Sequence, residues 1–158
     1  MAQHAYTDTR IVDLTTNTDA YASGDMMTAA ETKLDNVYNE GQGGIIQQVV
    51  IIDQAKQSKA IELLFFDREP SNTTFTINGA LTIHDTDLDA VVGSIVVEET
   101  DYQAYADNSV ATVKNIGFCY GLRMENKTYR DLYVVAISRG AGTYAADSLR
   151  VRLTFWYD

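Results

Sequence analysis

The sequence predicts an all-β protein: a jelly-roll-like β-sandwich of about eight strands, with one short helix and an extended N-terminal arm. From residue 45 onward, short β-branched and aromatic segments recur and are separated by polar turns. The last segment, residues 149–157, alternates apolar and polar side chains without a break. The 158 residues are 46% apolar with one proline, a globular composition with enough length for one core.

The chain is predicted to consist of an arm and one folded domain. Residues 1–44 are polar and turn-rich, so we expect a loop-rich arm with one strand candidate at 10–14 and a weakly helical patch at 26–34. Residues 45–158 are expected to form the sandwich. Its extended segments are predicted at 45–53, 60–67, 73–77, 80–83, 94–99, 109–113, 116–122, 131–139 and 148–158.

A D-x-D-x-D pattern at Asp85, Asp87 and Asp89 raises the question of calcium binding. An EF-hand loop also needs Gly at its sixth position and Glu at its twelfth. Counted from Asp85, those positions hold Ala90 and Val96. The pattern therefore does not predict an EF-hand.

The same stretch favours a short capped helix. Asp85 and Thr86 are good N-cap residue types, and the next aspartates would lie in the first turn, near the positive end of the helix dipole. Apolar residues at positions 88, 91 and 92 would form one stripe, and Gly93 can end the helix.

The formal net charge of −10 is spread unevenly along the chain. Residues 69–113 contain eight acidic residues and no Lys or Arg, whereas residues 114–158 carry +3. An acidic chain repels phosphate backbones, which disfavours nucleic-acid binding. The asymmetry could serve contacts between subunits, or it could be an ordinary acidic surface.

No catalytic or metal-binding constellation is predicted, and no cofactor is expected. His4 lies in the arm, and His84 precedes an aspartate, where a surface or capping role is commoner than catalysis. Glu98, Glu99 and Asp101 form an acidic cluster, but neighbouring strand residues point to opposite faces, so a solvated surface is favoured over a glycosidase pair. We therefore expect the protein not to be an enzyme.

The single cysteine, Cys119, excludes an intramolecular disulfide, and its apolar surroundings predict a buried thiol. No apolar run approaches the roughly 20 residues that a membrane helix needs, so no membrane association is expected. The first ten residues contain no apolar signal-peptide region.

Aromatic and basic residues supply the candidates for partner contact. Ten tyrosines are present, and several are expected in loops, although β-proteins are often rich in tyrosine without any interface. On the last strand, positions 149, 151, 153, 155 and 157 are assigned to the core and the intervening positions to the surface. The candidate interface residues are Tyr6, Arg10, Tyr21, Arg150, Arg152 and Trp156.

Several segments resemble small structural proteins of tailed bacteriophages. These are "IIQQVVIIDQAKQSKAIELLFFDREPSNTTFTINGALTIHDTDLDAVVGSIVV", "DYQAYADNSVATVKNIGF" and "LYVVAISRGAGTYAADSLRVRLTFWYD". Such proteins are made in the host cytoplasm and decorate or cement the outer capsid surface. The resemblance implies a virion location, the major capsid protein as partner, and a homo-oligomer, with a trimer favoured.

Two rival functions stay open. Jelly rolls often present aromatic side chains to sugars, so a carbohydrate-binding module on a virion or secreted particle is the alternative. An enzyme on a β-sandwich would need clustered acids in a cleft. Fold class alone decides neither.

Overall fold

The computed structural model describes residues 6–37, 43–121 and 131–157. The strands of these residues are β1 (Tyr6–Leu14), β2 (Ala20–Tyr21), β3 (Thr32–Leu34), β4 (Gly44–Asp53), β5 (Ile61–Phe66), β6 (Val91–Val97), β7 (Tyr102–Ala104), β8 (Ser109–Tyr120), β9 (Leu132–Ser138), β10 (Gly142–Thr143) and β11 (Leu149–Tyr157). A four-residue helix, α1 (Asp85–Leu88), and a 3₁₀ turn, Glu99–Asp101, complete the described elements. The predicted all-β sandwich class with a short helix is confirmed.

Two large antiparallel sheets form the sandwich. The first has five strands in the order β1-β11-β4-β8-β7, and the second has four in the order β3-β9-β5-β6. A two-stranded ribbon pairs β10 with β2. The inner faces of the large sheets share one core, which includes Val49 and Leu153 from the first sheet and Leu63 and Val134 from the second.

The expectation of an extended arm is wrong for residues 6–37. Strand β1 pairs with β11 along its whole length, and β3 pairs with β9. Val12, Leu14, Met27 and Leu34 are each at most 4% exposed and belong to the main core. These few apolar side chains fall on the inward positions of strands that other segments complete, so low apolar density did not mean an unfolded segment.

A bulge joins two predicted strands into one. Residues 109–113 and 116–122 were expected as separate strands, but β8 runs from Ser109 to Tyr120. Its register with β4 shifts opposite Ile46 and Gln48, and Asn115 and Gly117 within the bulge have positive φ angles of 56° and 63°. Asn and Gly tolerate this backbone conformation better than other residues.

The outer face of the four-stranded sheet is covered by the connection between β5 and β6. Leu64 and Phe66 on β5 pack with Val135 on β9, and Phe75 and Leu81 from the connection lie against them. Residues 73–77, predicted as a strand, are instead part of this cover. Strand β5 is buried on both faces, which explains its nearly continuous apolar sequence.

Candidate interaction surface

The three aspartates in the 85–89 stretch differ in burial and do not act as one group. The N-cap of α1 is His84, whose Nδ1 accepts a hydrogen bond from the backbone N–H of Thr86 at 3.3 Å. The prediction that Asp85 and Thr86 cap the helix is therefore wrong. Asp87 is 4% exposed, whereas Asp85 and Asp89 are exposed. The helix ends earlier than expected because positions 91–93 enter β6.

The Asp87 carboxylate holds the preceding turn in place. It accepts hydrogen bonds from the Thr73 hydroxyl at 2.7 Å and from the Asn72 backbone N–H at 3.0 Å. Burial acts to raise the pKa of Asp87, but the hydrogen bonds from Thr73 and Asn72 outweigh it, and the pKa is lowered overall. The side chain is therefore a structural acceptor within the cover of the four-stranded sheet.

The acidic cluster at 98–101 caps a turn. The Asp101 carboxylate accepts from the Glu98 backbone N–H at 2.9 Å, and Glu99 forms an ion pair with Lys59 at 3.1 Å. Glu98 and Glu99 follow the end of β6, so the expected strand geometry does not apply to them. Among residues 6–37, 43–121 and 131–157, no three His, Cys, Asp or Glu side chains converge as a metal site.

Strand β11 separates its side chains between core and surface as predicted. Its five inward residues are at most 2% exposed. Arg150, Arg152 and Trp156 lie on the outer side, where Trp156 is 40% exposed. This side belongs to the outer face of the five-stranded sheet. The 67–90 connection covers the outer face of the other sheet, but no described segment covers this one.

We call this surface the open face. Its rows follow from the strand registers: Arg152 lies between Ile11 and Val50, and Trp156 lies between Thr7 and Ile45. Apolar side chains are common along it, and Ile11 is 54% exposed. The open face is defined by Ile11, Ile45, Val50, Ile52, Lys114, Arg150, Arg152 and Trp156.

The open face has a net positive charge in an acidic protein, although Asp13 lies on it opposite Arg150. Arg150 donates to Asp13 at 2.5 Å, so its charge is largely compensated. Arg152 and Lys114 are exposed, and neither forms an ion pair within the described part of the chain. Two uncompensated cations therefore lie beside apolar side chains on this surface.

The three remaining interface candidates lie elsewhere. Tyr21 is 2% exposed and its hydroxyl accepts from the Asn17 backbone N–H at 2.9 Å, so it cannot offer a contact surface to a partner. Tyr6 is 48% exposed and stacks on Tyr157 with ring centroids 4.9 Å apart. Arg10 pairs with Asp8 at 2.7 Å. Tyr6 and Arg10 project from β1 to the inner side of the sheet, opposite to Trp156.

The expectation of a buried Cys119 is wrong. The residue pairs with Ile45 on the outer side of β8, and its thiol is exposed. Its apolar neighbours in sequence suggested burial, but strand parity decided its position. His4 lies outside the described residues.

A groove that the sequence did not indicate lies on the covered sheet. It has a volume of about 630 Å³ and is bordered by Leu64 and Ile137 on the strands and by Leu81 and Leu88 on the cover. The Glu62 carboxylate and the Arg139 guanidinium form an ion pair at its edge. Half of the Leu88 side chain is exposed beside it, at 51%.

No family model matches this chain, and no curated protein matches it. Within the described residues, no helix is both long and apolar enough to span a membrane.

Proposed function

We propose that this protein is a virion structural protein that binds the outer surface of a tailed-bacteriophage capsid, with the major capsid protein as its partner. The observation that carries the proposal is the open face, an uncovered side of a five-stranded sheet with aromatic, aliphatic and cationic side chains. A sheet face that is exposed to solvent usually carries polar side chains. On this face, Ile11 and Trp156 are exposed instead.

The composition of the open face suits protein docking. Trp and Arg are enriched among residues that dominate binding energy, and Arg152 and Trp156 lie on the same side of β11. Arg152 forms no ion pair with another described residue, so docking against a carboxylate breaks no ion pair in that part of the chain. The partner is therefore expected to offer a flat, acidic surface with an apolar centre.

The aromatic geometry favours a protein partner over a sugar. A carbohydrate platform uses aromatic rings that share one surface. Tyr6 and Trp156 project to opposite sides of the five-stranded sheet, and Tyr21 is buried. Trp156 therefore stands on the open face without either of these tyrosines beside it.

The test is reconstitution on capsids that lack this protein. Purified wild-type protein is added, and the copies retained per particle are counted after sedimentation. We expect Arg152→Ala and Trp156→Ala each to weaken retention about tenfold or more. Leu88→Ala and Lys33→Ala are the controls, because these exposed residues lie on the other sheet and its cover.

Wild-type retention by both open-face variants would contradict the proposed docking surface. Equal losses in the two controls would do the same. Failure of the wild-type protein to bind capsids, together with saturable binding on a glycan array, would favour the carbohydrate-binding alternative.

A further inference from the structure

Strand β1 is a long and regular sheet edge. It has nine residues, and all nine pair with β11 without a register shift. The other edges of the two large sheets are less regular: β7 and β3 have three residues each, and the pairing of β6 with β5 shifts register at Phe65 and Phe66. Short or bulged edges resist further strand pairing, whereas a long regular edge invites it.

The outer edge of β1 has no strand beside it within the described residues, where β1 neighbours β11 alone. Its backbone N–H and C=O groups on that side are a template for another strand. A second copy of the same chain can supply an identical strand, and an antiparallel pair of identical edges closes by two-fold symmetry.

Side-chain charge selects one register for this pairing. When the two-fold axis is perpendicular to the sheet, directly opposed side chains lie on the same face of the sheet. One residue of β1 must then lie directly opposite its own copy, with the axis between the two. An axis at Asp8 or at Arg10 would oppose like charges. An axis at Thr9 places Asp8 opposite Arg10 of the second copy and Arg10 opposite Asp8 of the second copy.

We propose that two copies of this chain pair antiparallel through their β1 strands, with Thr9 at the two-fold axis. The existing ion pair between Asp8 and Arg10, 2.7 Å apart, then becomes part of a ring of four alternating charges. Ile11, which is 54% exposed in the single chain, lies opposite Thr7 of the second copy. The pairing forms one continuous sheet across the dimer.

This inference stands apart from the proposed function, because it concerns the edge of the sheet and not the open face. It also differs from the trimer that the phage resemblance implies, since a self-complementary edge closes with two copies. The two open faces would lie side by side on one continuous sheet. Dimer formation can be measured without any capsid, so failure of one proposal is distinguishable from failure of the other.

The first experiment measures mass in solution. Sedimentation equilibrium of the full chain should give twice the mass of one chain at some concentration between about 1 µM and about 1 mM, the range of weak interfaces. A single-chain mass throughout that range would overturn the proposal.

The second experiment tests the charge pairing. Asp8→Arg and Arg10→Asp each create two like-charge contacts, and each should weaken the dimer about tenfold. The double variant restores opposite charges in both contacts and should recover wild-type affinity. An exchange of charges at the exposed pair of Lys59 and Glu99 is the matched control and should leave the mass unchanged. Lack of recovery in the double variant, when circular dichroism shows it folded, would overturn the proposed register.

The third experiment tests the axis directly in a Cys119→Ser background. Thr9→Cys places two thiols opposite each other, and mild oxidation should produce a crosslinked dimer. Ile11→Cys should not crosslink, because the register separates the two thiols by roughly 13 Å along the strands, beyond disulfide reach. Equal or preferred crosslinking through Ile11→Cys would overturn the register.

Discussion

At the scale of single residues, three tyrosines show that residue type alone does not indicate an interface. Tyr21 and Tyr144 are both 2% exposed, and their rings meet edge to face with centroids 6.0 Å apart. Tyr102 is half-buried, with its hydroxyl inside. Burial, together with the nearby charge of Asp53, raises the pKa of Tyr144 far above its usual range, so the phenol stays protonated. These side chains support the fold at positions where sequence suggested loop contacts.

The hydroxyls of two buried tyrosines should differ in their effect on stability. The Tyr21 hydroxyl accepts from Asn17, whereas the Tyr144 hydroxyl is buried without a hydrogen-bond partner among the described residues. We expect Tyr21→Phe to lower the free energy of unfolding by about 0.5–1.5 kcal/mol, and Tyr144→Phe to leave it unchanged or raise it. Urea unfolding of both variants measures the difference. A larger loss for Tyr144→Phe would reveal a hydrogen bond to that hydroxyl in solution.

Asp87 should contribute to stability in a pH-dependent way. Its pKa is lowered in the folded protein, because the hydrogen bonds from Thr73 and Asn72 outweigh the opposing effect of burial. The folded state therefore binds the proton less tightly than the unfolded state. The stabilisation is complete above the unfolded-state pKa and is lost as pH falls through the lowered folded-state pKa.

We therefore expect Asp87→Asn to lower the melting temperature at neutral pH. The difference in melting temperature from wild type should narrow as the pH falls from the unfolded-state pKa of Asp87 through its folded-state pKa. Melting curves measured across the acid range test this. Asp85→Asn is the matched control, since its side chain is exposed in the same helix and should give a small difference. A difference that stays constant with pH would contradict the role of the ionised carboxylate.

At the scale of elements, sequence patterns predicted the buried residues correctly where one face of a strand is exposed to solvent. They failed where segments distant in sequence bury the residues. Strand β11 alternates strictly, so its core side could be read directly. Strand β1 has only two buried residues, Val12 and Leu14. It is part of the sheet because it pairs with β11, which is remote in sequence. Residues 73–77 have strand-like composition, yet they pack as cover against β5 and β9. Likewise, the open face could be predicted only at β11, because Ile11, Val50 and Lys114 join it through pairings between remote strands.

The two sides of β11 should respond differently to truncation. Phe155 is 0% exposed and meets the Tyr120 ring with centroids 5.8 Å apart, so Phe155→Ala should cost about 3–5 kcal/mol of unfolding free energy. Arg152 is exposed and unpaired within the described residues, so Arg152→Ala should change it by no more than about 0.5 kcal/mol. Chemical denaturation of both variants measures these costs. Comparable destabilisation by the two would mean that the assignment of the β11 faces is wrong.

At the scale of the whole molecule, the sandwich is asymmetric. The outer side of the four-stranded sheet carries its own small core beneath the connection between β5 and β6. Most of this connection lies in the acidic stretch 69–113. The five-stranded sheet has its core side within the sandwich and leaves the open face in solvent, with Arg152 and Lys114 exposed. Net charge and local charge thus have opposite signs on the surface that we propose for docking.

This opposition of charge determines how capsid retention should depend on salt. If the open face docks on an acidic surface, the contacts of Arg152 and Lys114 are attractive, while the net charge of −10 repels the same partner at longer range. Salt screens both effects, and the Debye length falls from roughly 14 Å at about 50 mM to roughly 4 Å at about 500 mM. Exposed contacts at the rim of an interface are weakened over this range, so we expect retention to decrease.

The variant Arg152→Ala should show a weaker decrease than wild type, whereas Lys33→Ala should follow the wild-type curve. Retention that increases with salt would mean that the net charge, and not the cationic open face, governs the encounter with the capsid.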